Sequence, residues 1–125
     1  MNHNGVISLP LKSSFNQDAG DLVQVDNNSG VAEAGVNATA NGAKAIGVLL
    51  HDADQGSSDL PAAIQLFSAG GSAVVKVTNA VGAAGAAIYA ANAAGATTTP
   101  STNKLLGYSL EAPNKANNLV RIVLV

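Results

Sequence analysis

The most informative stretch of this chain about its fold class is Leu119-Val120-Arg121-Ile122-Val123-Leu124-Val125. Every second residue from Val120 to Leu124 is apolar, and so is the opposite set apart from Arg121. A β-strand with this pattern is apolar on both faces, and such strands are covered on both faces. We therefore expect this strand to be central to a barrel or sandwich, or to present one face to another subunit.

Seven further short apolar runs precede it, separated by clusters rich in Gly, Asn and Asp. They lie at residues 22–25, 31–34, 45–50, 63–67, 73–77, 87–90 and 105–110. The first two runs flank Asp26-Asn27-Asn28-Ser29-Gly30 and are predicted to form a hairpin. Because short runs between turn signals are typical of β proteins, the sequence predicts an all-β fold, a small domain of short antiparallel strands.

The alanine-rich segment 80–96 is the weak point of this prediction. Alanine favours helices, but Gly82, Gly85, Asn92 and Gly95 interrupt the segment. We expect no long helix here, although a short helical turn at residues 90–94 fits the sequence. The same interruptions exclude a membrane-spanning helix, so no membrane partner is expected.

Composition restricts the possible functions. A length of 125 residues suits one domain, and with only 3% aromatic residues the core must consist of Val, Ile, Leu and two Phe. A core with so few large side chains suggests that the chain gains stability from contacts with neighbouring copies or with a larger surface. The alternative is a monomer that is stable with this small core. With 11% charged residues and a net charge of −2, there is no basic stripe for nucleic acid. No cysteine is present for a disulfide or a thiolate zinc site.

Residues 1–19 differ from residues 20–125, which form the predicted single domain. They are polar, lack the features of a signal peptide, and resemble an extended N-terminal arm. In an extended chain, Ile7, Leu9 and Leu11 share one face, and Pro10 lies on the other and needs no amide partner. We predict that a neighbouring subunit or a larger surface holds this arm by strand addition; the alternative is that it folds back on its own domain. The candidate interface residues are Val6, Ile7, Leu9, Pro10, Leu11 and Phe15.

No catalytic constellation emerges from the polar residues. His51 lacks a G-x-S-x-G nucleophile and is best explained as an exposed loop residue, and His3 lies in the arm. Asp52, Asp54 and Asp59 begin like a calcium loop, but Gly56 and Ala63 occupy ligand positions. Asp18 and Asp21 are explained as turn residues beside a strand. We therefore predict no enzymatic activity, no catalytic residue, no metal and no cofactor.

Six short motifs, taken in order, resemble the decoration (cement) proteins of tailed-phage capsids. Gly20-Asp21-Leu22-Val23 is similar to the family's AGDLV opening, and Ala45-Ile46-Gly47-Val48 to its IGVALED segment. The remaining four are Gly30-Val31-Ala32, the segment 81–89, the segment 106–112 and Val120-Arg121-Ile122-Val123-Leu124, which resembles the VRVLL ending. The resemblance covers residues 19–125, and Ala86 departs from the family's usual Asp.

This resemblance implies a compact β-barrel or β-tulip module. It also implies a structural role on the outer capsid surface of the virion, in which homotrimers at or near threefold axes bind the major capsid protein and stabilise the shell. Two other functions are considered. A head-fibre or glycan- and receptor-binding module would need an exposed platform among Phe15, Phe67, Tyr89 and Tyr108. A small hydrolase would need a catalytic set that the sequence does not contain.

Overall fold

The computed structural model describes residues 5–56 and 60–125 and shows an all-β chain. Its strands are β1 (Val6–Leu9), β2 (Asn16–Gln17), β3 (Leu22–Asn28), β4 (Val31–Val36), β5 (Ala45–Leu49), β6 (Ala53–Asp54), β7 (Ala62–Leu66), β8 (Ser72–Val77), β9 (Ala87–Ala90), β10 (Ala96–Thr97), β11 (Lys104–Ser109) and β12 (Asn118–Leu124). The helical elements in this part of the chain are two three-residue 3-10 turns, Ala40–Gly42 and Phe67–Ala69. The prediction of a small all-β domain of short strands is confirmed.

One sheet has the strand order β1-β7-β5-β3-β4, with every pair antiparallel. The predicted β3–β4 hairpin is confirmed, and it turns at Ser29 and Gly30. Both residues have positive φ, 51° and 89°, as a two-residue hairpin turn with the natural strand twist requires. The Gly30 amide donates to Asn27 Oδ1 at 2.9 Å and fixes the turn.

The second sheet closes into a barrel in the order β10-β8-β12-β11-β9. Strand β12 lies between β8 and β11 and pairs antiparallel with both. Its Val120, Ile122 and Leu124 are buried in the barrel. The predicted central position of this strand is confirmed, whereas cover on both faces is not provided by the chain itself, because Leu119 and Val123 remain 48% and 40% exposed.

Two hydrophobic clusters fill the molecule, and β3 and β5 contribute to both. Leu22 of β3 and Val48 of β5 belong to the barrel cluster, while their neighbours Val23 and Leu49 belong to the cluster under the first sheet. Because successive side chains of a strand point to opposite faces, these two strands form the wall between the clusters. The barrel and the first sheet share no strand, but they pack as one unit because β3 and β5 contribute side chains to both clusters.

The alanine-rich segment folds as strand, loop and strand. Residues 87–90 form β9, residues 91–95 bend, and β10 follows, so the short helical turn expected at residues 90–94 is wrong. Asn37 explains the outcome: its buried Nδ2 donates to the carbonyls of Ala91 and Ala93, at 2.6 Å each. These carbonyls are held by a side chain from another part of the chain, and such tertiary contacts override alanine's helix preference. The Asn37 Oδ1 is buried with no hydrogen-bond partner among the described residues.

Candidate interaction surfaces

The N-terminal segment lies on its own domain over the part that the structure describes. Strand β1 pairs antiparallel with β7, from Val6 opposite Gln65 to Leu9 opposite Ala62. This is the alternative considered above, in which the segment folds back on its own sheet. Residues 1–4, which include His3, lie outside the described residues.

Residues 10–12 continue to the opposite edge of the same sheet. The Ala34 amide of β4 donates to the Pro10 carbonyl at 2.8 Å, and the Lys12 amide donates to the Ala34 carbonyl at 3.1 Å. Leu11 forms an isolated parallel bridge with Ala34 between these two bonds. The segment thus forms one edge of the sheet itself, as β1 beside β7, and it pairs with the opposite edge strand, β4, through residues 10–12. At those positions of β4, the edge is closed to further strand addition.

The six candidate interface residues occupy different environments. Phe15 is 2% exposed and belongs to the cluster under the first sheet, together with Val23, Leu49 and Ile64. The partly buried residues Ile7, Leu9 and Leu11 pack against the same cluster, as expected for one face of an extended chain. Val6 and Pro10 are exposed. Phe15 is therefore a core residue of its own domain, and an interface role for the other five stays a prediction.

Lys12 ends this segment in a charged contact with the first sheet. Its Nζ lies 2.9 Å from Asp26 Oδ2, and Gln24 Nε2 donates to Asp26 Oδ1 at 2.7 Å. The hydrogen bond from Gln24 and then the one from Lys12 hold the pKa of Asp26 below its usual value, and Asp26 in turn raises the pKa of Lys12. These groups border a cavity of about 250 Å³ that Phe15 also lines.

His51 and the nearby aspartates serve the backbone. His51 is partly buried, its Nε2 accepts a hydrogen bond from the Ala63 amide at 3.1 Å, and its Nδ1 lies 3.0 Å from the Asp52 carbonyl. It is more constrained than the exposed loop residue that the sequence suggested. Asp52 Oδ1 accepts from the Ala19 amide at 2.9 Å, and Asp21 Oδ2 accepts from the Asp18 amide at 3.0 Å. The predicted turn role of Asp18 and Asp21 agrees with this contact.

In the described ranges 5–56 and 60–125, no three His, Cys, Asp or Glu residues lie close enough together to hold an ion. Asp54 Oδ1 accepts from the Gly56 amide at 3.0 Å, while Asp59 falls in the segment 57–59, outside the described residues. Within the same ranges, no helix is long and apolar enough to cross a membrane.

A second candidate surface covers the outside of the barrel, and sequence reasoning located only its central strand. We call it the outer barrel face and define it by six exposed apolar side chains: Leu50, Val74, Tyr108, Leu110, Leu119 and Val123. Their strands are adjacent, since Val123 of β12 lies opposite both Ser72 of β8 and Tyr108 of β11. The members on β8, β11 and β12 therefore lie on the same side of the barrel, around the outward-facing Arg121 of β12.

The outer barrel face has a concave half. Leu50, Val74 and Leu119 line a cavity of about 290 Å³ together with Ala19, Gly20 and Leu49. Gly20 permits this shape: its φ is +94°, and a Cβ there would lie 2.5 Å from Leu119 Cδ2. A glycine is thus required at the base of the cavity.

Charges of both signs lie on and beside the outer barrel face. Arg121 lies on the face itself, between Leu119 and Val123 and opposite Val74, and its Nε is 3.9 Å from Glu111 Oε1, with both side chains about half exposed. Lys76, opposite Leu119, has its Nζ 3.5 Å from Asp18 Oδ2. The face therefore combines apolar side chains with a positive charge in their midst.

Comparison with known proteins identifies a similar fold but no family. The sequence matches neither a protein-family model nor a curated protein. The fold is similar to that of a solved structure, the N base of head fibre gp8.5 in bacteriophage phi29, with a TM-score of 0.69 and 18% sequence identity. The similarity covers 96% of this chain and 94% of that chain.

Proposed function

We propose that this protein is a non-enzymatic structural component of a tailed-phage head, a capsid decoration (cement) protein. In this proposal it binds the major capsid protein on the outer surface, as a homotrimer at or near threefold axes, and stabilises the shell. The observation that carries the proposal is the outer barrel face, an apolar surface that one chain leaves uncovered. Large exposed apolar surfaces on folded domains mark interaction sites.

The fold supports a place on the virion. It is similar over nearly the whole chain to the N base of a phage head fibre. The order of six short sequence motifs, which resembles that of decoration proteins, points to the same setting. Both observations favour a structural role over catalysis, and the side chains of Asp21, Asp52 and His51 are bonded to backbone groups.

The physical action of such a protein is that of a clamp across capsomer junctions. Each bound copy adds interface area that must be broken before the shell can open. Three linked copies also bind with a higher effective affinity than one, because the second and third contacts are intramolecular. Weak individual contacts are sufficient under these conditions.

The base of a head fibre is the second candidate, and the fold similarity favours it. A glycan- or receptor-binding role has less support. Phe15 is buried, Phe67 and Tyr89 are partly buried, and Tyr108 alone among the four aromatic residues is exposed, which does not make a stacking platform.

Imaging of purified heads with and without this protein tests the proposal. A decoration protein is expected on the outside of the shell in regular clusters across its surface, and heads lacking it are expected to open at a lower temperature. Density at a few positions with an extension pointing outward would instead establish the fibre base. Heads that neither contain nor bind the protein would contradict both candidates.

A further inference from the structure

We infer that His51 is a pH-sensitive latch, which holds the start of β7 to the end of β5 at neutral pH and releases it when the imidazole is protonated. The inference rests on the two hydrogen-bond contacts of one ring and is independent of the proposed function. It concerns the first sheet, and through β7 it affects β1, the strand that the N-terminal segment contributes to that sheet.

The imidazole of His51 takes the place of a backbone partner where the pairing of β5 with β7 ends. The last paired residues are Leu49 and Ile64, and one step further the Leu50 amide donates to the Ala63 carbonyl at 3.0 Å. The Ala63 amide then donates to His51 Nε2 at 3.1 Å. Ala63 is partly buried, and a buried backbone amide that loses its partner costs free energy. The ring therefore extends the strand pairing by one hydrogen bond.

The partners of the two ring nitrogens fix the protonation state of His51. A backbone amide only donates, so Nε2 must offer a lone pair to Ala63. A carbonyl oxygen only accepts, so Nδ1, which lies 3.0 Å from the Asp52 carbonyl, must carry the hydrogen. Only the neutral imidazole with its hydrogen on Nδ1 satisfies both contacts, because both nitrogens of the imidazolium are donors. Protonation of Nε2 therefore breaks the bond to Ala63.

The charged groups around His51 are bonded elsewhere. Strands β5 and β7, which flank the latch, contain no charged residue. Four aspartates on the neighbouring segments contact backbone amides or a lysine: Asp18, Asp21, Asp52 and Asp54. Within the described part of the chain, no carboxylate forms a hydrogen bond or an ion pair with the ring. A hydrogen on Nε2 can therefore reach an acceptor only if the ring turns away from Ala63.

Loss of this bond is expected to loosen the start of β7 and, with it, β1. Ala62, next to Ala63, is fully buried in the cluster under the first sheet. On its other side β7 pairs with β1, where Ser8 lies opposite Ala63 and Leu9 opposite Ala62. Because β1 lies at the edge of the sheet and is paired there with β7, it is expected to loosen together with β7. In mild acid the N-terminal segment is then held less firmly at this edge.

Urea unfolding of the full chain at two pH values tests the latch. An unfolded chain binds a proton at histidine below about pH 6.5, whereas the closed latch does not, so the stability from the latch is complete above this pH and falls below it. His51→Gln removes the titration and keeps an acceptor, its Oε1. Relative to this variant, the unfolding equilibrium constant of the wild type is expected to rise by up to about tenfold between about pH 7.5 and about pH 5.5.

The matched control is His3→Gln, which removes the other histidine and is expected to keep the pH dependence of the wild type. A change of less than about twofold in the ratio of wild type to His51→Gln would overturn the inference. Loss of the pH dependence in His3→Gln would also overturn it.

Nitrogen NMR of the wild type tests the geometry without any variant. At neutral pH the His51 ring is expected to be neutral and to carry its hydrogen on Nδ1. The signal of the Ala63 amide is expected to shift over the same pH range in which the ring becomes protonated. A neutral ring with its hydrogen on Nε2, or an Ala63 signal that does not follow the ring, would overturn the inference.

Discussion

Replacement of Phe15 by alanine tests whether the N-terminal segment belongs to its own domain. Phe15 is 2% exposed and packs in the cluster that contains Val23, Leu49 and Ile64. Its burial removes roughly 150–200 Å² from water, which corresponds to about 4 kcal/mol before the remaining methyl group is subtracted. Measured Phe→Ala changes in cores cost about 3–5 kcal/mol. We expect the lower end, about 3 kcal/mol, because the neighbouring cavity of about 250 Å³ gives surrounding groups room to relax.

Urea unfolding followed by circular dichroism measures this loss. With a slope of about 1.5 kcal/mol per molar urea, the midpoint of Phe15→Ala is expected to fall by about 2 M. The matched control is Val6→Ala in the same segment, whose side chain is 38% exposed and whose replacement is expected to change stability by no more than about 0.5 kcal/mol.

The dependence on protein concentration decides between the two positions of the segment. If Phe15 fills its own core, the loss is the same at every concentration, because no second chain takes part. If it docks into a neighbour, the loss grows at concentrations where the wild type is assembled and disappears on dilution. A loss below about 1 kcal/mol in the dilute protein would refute the placement of Phe15 in its own core.

Three further predictions follow from the barrel and the first sheet. Ile122→Asp places an unpaired charge inside the barrel and is expected to lower the free energy of unfolding by several kcal/mol, as measured by thermal unfolding. The control Val123→Asp, on the outer barrel face, is expected to unfold at a temperature close to that of the wild type. Equal melting temperatures for Ile122→Asp and the wild type would contradict the burial of Ile122. Gly107→Ala is expected to lose about 1–3 kcal/mol in urea unfolding, because its Cβ would collide with the backbone of Val123. Gly82→Ala serves as the control, since a Cβ there meets no atom within 4 Å. Equal losses for the two variants would contradict the close approach of β11 and β12. The pKa of Asp26 is lowered from 3.8 in the folded state, so the contribution of its carboxylate to the free energy of unfolding is present above pH 3.8 and is lost as the pH falls through the folded-state pKa. The stability difference between the wild type and Asp26→Asn is therefore expected to shrink on acidification below about pH 4. A constant difference down to about pH 2 would contradict this prediction.

The local pattern of apolar and turn-forming residues was sufficient to predict most of the strands. All eight apolar runs read from the sequence are strands, with most ends placed within one residue, because each run is bounded by residues that favour turns. The strand from residue 22 extends three residues further than predicted, to Asn28, since pairing with β4 continues up to the tight turn. The two-residue strands β2, β6 and β10 carry no apolar pattern of their own, and only pairing with distant residues defines them.

The candidate interaction surfaces could be predicted only in part from the sequence. The double apolar pattern at residues 119–125 indicated either a second layer or a partner subunit, and the structure leaves its outer side uncovered within one chain. Leu50 and Val74 carry no such signal, because single exposed apolar residues are common on protein surfaces. They join the outer barrel face only because the fold places β8 and the end of β5 beside β12.

The type of structure could be predicted from residues that are close together in the sequence: an all-β chain with a small aliphatic core, a hairpin at Ser29 and Gly30, and a central last strand. These properties depend on neighbours along the chain, such as alternation, turn residues and composition. The position of the N-terminal segment, the conformation of residues 91–95 and the set of apolar side chains that meet on one face could be read only from the folded chain. Those outcomes depend on contacts between distant residues, such as Asn37 with the carbonyls of Ala91 and Ala93 or Phe15 with Ile64, and no local pattern encodes such pairs.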